Sequence, residues 1–274
     1  MGVLKLGTFN IGLAGTKFLP ENYNRSQVEQ NLARIASMLN ANQVDIAGLQ
    51  EVDVTTNRSR GVDEPSFIRD ALNWPTRSSR FQPATHRDGG EYGNSVLVNL
   101  SRPDISYQDN KIQRRQFPKD LGREDRSALA VRVDLKMPAG HARAFENVWF
   151  VTTHFDLPFT DWTRQLCAML EWTRAFSFPT IICGDLNIVE KTNGELTQEY
   201  QLMSELFDKY GFRDVGPFGE GNETFARHAT RKIDYFFLRD QRDWFRIVST
   251  DRVRPKLGEH WLSDHWLVTC SLEY

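Results

Sequence analysis

Strand patterns outnumber helical ones in this chain, and that imbalance narrows what it can fold into. Periodicity along the 274 residues gives about ten strands against about four amphipathic helices. A purely parallel sheet needs a helical crossover for almost every strand, so these helices are too few. The expectation is an α/β fold in which mixed sheets pack on each other with helices outside. A 40% apolar content supplies a substantial core. No repeat, low-complexity tract or linker interrupts the pattern, so residues 1–274 read as a single domain.

Residues 3–11 alternate as a strand. A helix follows with Val28, Leu32, Ile35, Ala36 and Leu39 on one face, with Ser26 and Glu29 read as its capping box. Residues 44–51 form a second, buried strand. Residues 61–88 read as irregular, with one short helix near 66–72. Tyr92-Gly93-Asn94-Ser95 leads into a strand at 96–100, and 105–113 reads as another. Lys111, Arg114, Arg115, Lys119, Arg123 and Arg126 form a basic stretch, read as a loop that is either a solvated surface or an anion contact. Strands at 127–135 and 147–153 flank a hairpin loop at 138–143. Trp162, Leu166, Met169, Leu170 and Thr173 mark a helix, as do Leu202, Leu206, Phe207 and Tyr210, closed by Gly211. The last strands are read at 233–238, 245–250 and 266–272.

Many of these strands end or begin on a polar residue. In Ile181-Ile182-Cys183-Gly184-Asp185-Leu186-Asn187 an apolar strand delivers Asp185 and Asn187, two residues apart and therefore aimed the same way. A carboxylate and a carboxamide so placed can hold a hard metal ion or a water. The other polar ends are Asn10, Glu51, His154, Asp234, Asp264 and His265. Each has an ordinary reading as a turn cap, a surface acid or a hydrogen-bonded core histidine. Asp234 is harder to dismiss, because a carboxylate inside an apolar strand needs a partner. The whole set arising by accident is far less probable than any single member doing so.

Bulk properties remove some function classes. A net charge of −2 argues against coating nucleic acid through overall charge, but leaves room for a local basic cleft. The cysteines Cys167, Cys183 and Cys270 are odd in number, widely spaced and set in apolar runs. They read as buried free thiols in a reducing compartment rather than disulfides or a zinc site. No stretch approaches the roughly 20 apolar residues of a membrane span. The N-terminus opens directly into a strand pattern, so no signal peptide is read and a cytoplasmic location is the default expectation. A monomer is expected.

The segments Thr8-Phe9-Asn10, Leu49-Gln50-Glu51, Tyr92-Gly93-Asn94, Arg126-Ser127-Ala128-Leu129, Thr153-His154, Gly184-Asp185-Leu186-Asn187, Ile233-Asp234-Tyr235 and Ser263-Asp264-His265 together resemble the exonuclease–endonuclease–phosphatase superfamily, the fold of deoxyribonuclease I. The resemblance implies a four-layer sandwich of two packed mixed β-sheets flanked by helices, with a cleft at one rim. It also implies cleavage of a phosphoester with Mg²⁺, for which Mn²⁺ could substitute. On the matching residues it implies metal ligation by Glu51 with Asn10 beside it, and for Asp264 either a second place in the metal site or support of a histidine. Asp185 would orient or deprotonate the attacking water, and Asn187 would hold that water or the phosphate. His154 and His265 would donate to phosphate oxygens, Asp234 would fix the tautomer of His265, and Arg126 and Asn94 would meet the substrate phosphate.

Departures from subfamily patterns bear on the substrate. His154-Phe155-Asp156 stands where abasic-site endonucleases carry Tyr followed by Pro-Asn, and Arg231-Lys232-Ile233-Asp234-Tyr235 lacks the signature of inositol polyphosphate 5-phosphatases. Ser263-Asp264-His265-Trp266 is similar to the ending of tyrosyl-DNA phosphodiesterases. The expected partner is nucleic acid, DNA or RNA, and the expected activity a nuclease. Basic residues support this around 111–126 and at Arg227, His228, Arg231 and Lys232; Phe155, Phe159 and Trp162 are either core or base-stacking groups. The alternatives are a tyrosyl-DNA phosphodiesterase-like repair enzyme, a sphingomyelinase-like headgroup hydrolase docking through Pro158-Phe159 or Trp261-Leu262, and a binding protein without catalysis.

Overall fold

Two strand–helix–strand units seed the fold. The structure, a computed structural model, describes residues 2–117, 125–137, 145–157, 161–218, 221–225, 231–257 and 260–274. In the first unit β1 (Val3–Asn10) leads through a 3-10 turn, Thr16–Phe18, to α1 (Arg25–Ala41), which returns to β2 (Ile46–Val54), parallel to β1. Then come α2 (Glu64–Ala71), the antiparallel pair β3 (Ser79–Arg87) and β4 (Gly90–Val98), and the meander β5 (Ile105–Gln116), β6 (Ser127–Lys136) and β7 (Phe145–His154). The second unit runs from β7 through α3 (Asp161–Thr173) to β8 (Thr180–Asp185), again parallel. A small pair, β9 (Lys191–Thr192) and β10 (Glu195–Leu196), precedes α4 (Gln198–Lys209). The chain ends with β11 (Arg213–Asp214), β12 (Asp234–Arg239), β13 (Arg246–Val253), the hairpin β14 (Lys256–Leu257) and β15 (His260–Trp261), and β16 (Leu267–Glu273).

These strands make two six-stranded mixed sheets, ordered β13-β16-β1-β2-β4-β3 and β11-β12-β8-β7-β6-β5. Each holds one parallel pair near its centre, and all other neighbours are antiparallel. Apolar side chains form three layers. Leu4, Leu6 and Val268 of the first sheet face Val131, Phe150 and Phe236 of the second. Leu32 and Ile35 of α1 cover the outer face of the first sheet, and Leu166 and Leu170 of α3 with Phe207 of α4 cover the second. The four-layer sandwich is therefore helix, sheet, sheet, helix. All of β8 is buried, as its continuous apolar sequence requires of a central strand covered on both faces.

Several local expectations shift. α1 is capped two residues earlier than read: Asn24 accepts from the Gln27 amide at 3.1 Å and donates its own amide to the Gln27 side chain at 2.9 Å. Asn is as good an N-cap as Ser, and Glu29 instead pairs with Arg25 at 2.7 Å. The region read as irregular contains β3, whose polar sequence and Pro83 suit an edge strand. β5 extends to Gln116, so Lys111, Arg114 and Arg115 lie on an edge strand rather than in a loop. β4 starts at Gly90, which puts Tyr92-Gly93-Asn94 inside it. Cys183 and Cys270 are buried free thiols, but Cys167 is exposed, because it falls on the outer face of α3. Lys119, Arg123, the 138–143 loop, Pro158, Phe159, Arg227 and His228 lie outside the described residues. No helix among the described residues is long and apolar enough to cross a membrane.

Candidate active site

Parallel strands finish at the same end of a sheet, and an antiparallel neighbour begins there. The two parallel pairs thus deliver Asn10 and Glu51 from one sheet and His154 and Asp185 from the other. β12 starts at the same rim with Asp234 paired to Asp185, β6 is entered there through Arg126, and β16 through Asp264-His265. The rims meet: the Asn10 amide nitrogen on the first sheet donates to Asp185 Oδ2 on the second at 2.9 Å.

The backbone is bent to aim these groups. Glu51 sits in a β-bulge, where pairing with β4 shifts between Leu49 and Val52, and takes φ 53°. Asn187 takes φ 54°, with its amide on Asp185 Oδ1 at 2.9 Å. Such left-handed backbone in non-glycine residues is costly and gathers at working sites. Gly184, at φ 146°, lies so close to β7 that a Cβ there would fall 1.9 Å from the Thr153 carbonyl oxygen.

Around Asp185 the side chains interlock. His154 Nε2 and His265 Nε2 each lie 3.5 Å from Asp185 Oδ2. His265 Nδ1 donates to Asp234 Oδ2 at 3.0 Å, which turns Nε2 toward the cleft. Ser263 Oγ donates to the Asn10 carbonyl at 2.7 Å and accepts the His265 amide at 3.0 Å, tying this segment to the end of β1. Asn187 Nδ2 lies 3.1 Å from His154 Nε2 and donates to the Phe155 carbonyl at 2.9 Å. Beneath the site, Gln50 Nε2 bridges the sheets, donating to Thr8 Oγ1 at 3.1 Å and Thr152 Oγ1 at 2.7 Å.

The two histidines differ in charge. Burial opposes protonation of His265, but Asp234 and Asp185 outweigh it and raise its pKa to about 10. His154 is held well below the usual imidazole range by burial and then by Arg126, whose Nη1 lies 3.1 Å from Nδ1. His265 is a cation near neutral pH and His154 is neutral. Burial, with repulsion from Asp234, pushes Asp185 up to about 7 against the opposing pull of His265, Asn10 and the Asn187 amide.

Two groups of residues bear on metal binding. Asp185, Asp234 and His265 bring ligand atoms within 4.8 Å of one another, but the imidazole is already engaged by both carboxylates. Glu51 and Asp264 converge on one cation position, because Lys17 Nζ lies 3.4 Å from Glu51 Oε2 and 3.4 Å from Asp264 Oδ1. Hard oxygen donors, few in number, suit Mg²⁺, so this donor set fits the ion. Asn10 is oriented differently from the expected ligand. Its Oδ1 accepts the Gly12 amide at 3.0 Å and its Nδ2 donates to Glu51 Oε1 at 3.1 Å, so it braces carboxylates rather than presenting an oxygen.

A cleft of about 700 Å³ opens over these groups, with Arg126, His154, Asp185, Asn187, Asp264 and His265 in its lining. Asp234 stands behind His265. Asn94 does not reach the cleft: it is buried, and its Nδ2 donates to the Ser127 carbonyl at 2.8 Å, bracing β4 against β6. Lys232 is also withdrawn, fully buried with Nζ 2.9 Å from Asp214 Oδ2. Phe155 and Trp162 belong to the core under α3. Sequence reading missed Lys17, Arg58 and Phe225. Arg58 forks onto Asp53 at 2.7 and 2.8 Å, and Phe225 packs edge-on to His265 at 5.0 Å. All three come from connecting segments, where no periodicity marks them.

The comparisons agree with this architecture. The crystal structure of an endonuclease/exonuclease/phosphatase from Beutenbergia cavernae DSM 12333 superposes with a TM-score of 0.69 at 21% identity, covering 98% of this chain and 71% of that one. D. rerio TDP2 complexed with single-strand DNA product gives 0.67 at 17% identity, over 100% of both chains. The Bacteroides thetaiotaomicron VPI-5482 mannosyl-6-phosphatase Bt3783 gives 0.63 at 17% identity, covering 99% of this chain and 100% of that one. At these identities the likeness is one of fold. No curated protein matches the chain in sequence. The family model does match, over residues 7–265, from just before Asn10 to His265: the chain belongs to the Endonuclease/Exonuclease/phosphatase family.

Proposed function

We propose that the chain is a divalent-metal-dependent phosphodiesterase that hydrolyses DNA or RNA, with Mg²⁺ as its ion and Mn²⁺ as a substitute. Members of its family generally hydrolyse phosphoester bonds. The observation that carries the reading is the Asp185 carboxylate, 2.9 Å from the Asn10 amide and 3.5 Å from each histidine Nε2, at the floor of an open cleft. An ion held by Glu51 and Asp264 would supply positive charge at the phosphate.

The chain's own residues account for the rest. Asp185, pushed up to about 7, is suited to orient a water and accept its proton near neutral pH. Cationic His265 donates from Nε2 to a phosphate oxygen, with Asp234 fixing the Nδ1 proton. Neutral His154 accepts from Arg126 at Nδ1, which leaves its Nε2–H to donate a hydrogen bond, and Arg126 adds charge behind it. These groups gather where negative charge builds during displacement at phosphorus. Lys17, Arg58, Arg87, Arg126 and Arg231 line the cleft with Glu51, Asp185 and Asp264, and Lys17 and Arg58 are themselves paired with carboxylates, so the lining suits an anionic substrate that arrives with a divalent ion.

The test is a Mg²⁺-dependent screen of wild type, Asp185→Asn and His265→Ala. The substrates are circular single-stranded DNA, supercoiled duplex, single-stranded RNA, a 5′-tyrosyl oligonucleotide, sphingomyelin and bis-p-nitrophenyl phosphate. Wild type should nick circular DNA or cut RNA, Asp185→Asn should be silent, and His265→Ala should lose about 10²–10³ in rate. Turnover of the tyrosyl oligonucleotide alone would move the reading to an end-directed repair enzyme. Inertness of wild type on every phosphoester would leave a binding protein.

A further inference from the structure

Beside the cleft, the turn after β1 meets the β14–β15 hairpin. The rings of Phe18 and Trp261 lie 6.5 Å apart with planes inclined by 30°. The Arg254 guanidinium carbon is 5.3 Å from the Trp261 ring centroid, and Lys256 Nζ is 5.8 Å from it. Phe18 is 37% exposed, Trp261 is half-buried and Arg254 is exposed. The cluster adjoins the catalytic groups through the chain itself. Phe18 follows Lys17, whose ammonium touches Glu51 and Asp264. Leu262, next to Trp261, is buried under the first sheet and anchors the hairpin, with Asp264 two residues further on.

We propose that Phe18, Trp261, Arg254 and Lys256 form a platform for single-stranded nucleic acid, on which a base flanking the scissile phosphate stacks while the two cations hold the adjoining backbone. The inference rests on the nuclease reading of the cleft. The partly exposed Phe18 and Trp261 rings offer stacking surface to any base, and the cations held over the Trp261 ring neutralise the phosphates that accompany it. Paired cations beside the rings favour a phosphate-bearing strand. Leu262, which follows the hairpin, is buried rather than presented outward as in a membrane anchor. Lys17, next to Phe18 in the chain, lines the cleft, along which a strand can continue.

The experiment compares Trp261→Ala, Trp261→Phe and the double variant Arg254→Gln/Lys256→Gln with wild type, on a single-stranded 12-mer and on bis-p-nitrophenyl phosphate. Binding of the 12-mer is also measured by fluorescence anisotropy in the Asp185→Asn background. For Trp261→Ala the ratio of KM on the 12-mer to KM on the small diester should rise about tenfold, and Trp261→Phe should recover most of it. The double variant should weaken 12-mer binding and flatten its salt dependence. Unchanged 12-mer affinity in all three variants, with wild type still cutting the 12-mer, would overturn the platform and leave the nuclease reading intact. Failure of wild type to bind or cut any nucleic acid would overturn both. Loss of binding to phosphatidylserine vesicles, with oligonucleotide binding unchanged, would reassign the patch to a lipid surface.

Discussion

Lys17 sets the charge balance of the cleft. Its ammonium lies 3.4 Å from each of two carboxylates that otherwise point at the same spot, so a divalent ion held there, as proposed, would have to compete with it. Lys17→Met should therefore bind Mn²⁺ more tightly than wild type in a calorimetric titration, whereas Glu51→Gln should bind it more weakly. Equal affinities in Lys17→Met and wild type would mean that the ammonium withdraws freely and takes no part in the balance. Nothing in the sequence marked this lysine, since a single Lys in a polar turn has no pattern around it. The residues that were legible, from Asn10 to His265, were so for one reason: each punctuates an apolar strand, and strand ends are readable. Their orientations were not. That Asn10 turns its nitrogen and not its oxygen to Glu51 depends on the Gly12 amide, a contact settled only by the folded turn.

At the scale of elements, β2 and α2 share a buried acid. Glu64 opens α2, and its Oε2 accepts the Asp53 amide at 2.8 Å, while Oε1 is buried without a hydrogen-bond partner. Burial, and then repulsion by Asp53, raise its pKa well above the ordinary 4.5. The folded state thus keeps a proton that the unfolded chain has already released. The stability contributed by this proton is complete below pH 4.5 and is lost as pH rises toward the folded pKa. Each tenfold difference in proton affinity corresponds to about 1.4 kcal/mol. Glu64→Gln stays neutral throughout, so its Tm should fall less than that of wild type between pH 5 and pH 8. Parallel Tm–pH curves would show that Glu64 is ionised in the fold. Elements with strong periodicity, such as α1, α3 and β8, were readable in outline. β3 was not, because an edge strand that packs one face and contains Pro83 carries too weak an alternation.

For the whole molecule, the groups proposed as catalytic are divided between two sheets, so the proposed activity would depend on how far apart the sheets stand. That they pack on each other was legible from the ratio of strands to helices. Their spacing was not, because it is set by side-chain volume across the middle layer. Gly48 in β2 fixes it locally: a Cβ there would come within 2.7 Å of Thr152 Oγ1 and 2.9 Å of Cys183 Sγ, both on the opposite sheet. These are short, buried side chains with nowhere to swing, so the added methyl must push the sheets apart. Overpacking of this kind costs about 1–3 kcal/mol, which thermal unfolding of Gly48→Ala would register. The effect on turnover should be larger than that loss implies. Gly48 lies two residues from Gln50, which bridges Thr8 and Thr152, and the Asn10–Asp185 hydrogen bond spans the same gap. A displacement of about 1 Å between reacting groups can lower a rate about 10²-fold. Gly48→Ala, assayed on bis-p-nitrophenyl phosphate far below its Tm, should therefore lose turnover while remaining fully folded. If it unfolds earlier but turns over at the wild-type rate, the catalytic geometry is set within each sheet and does not depend on their separation.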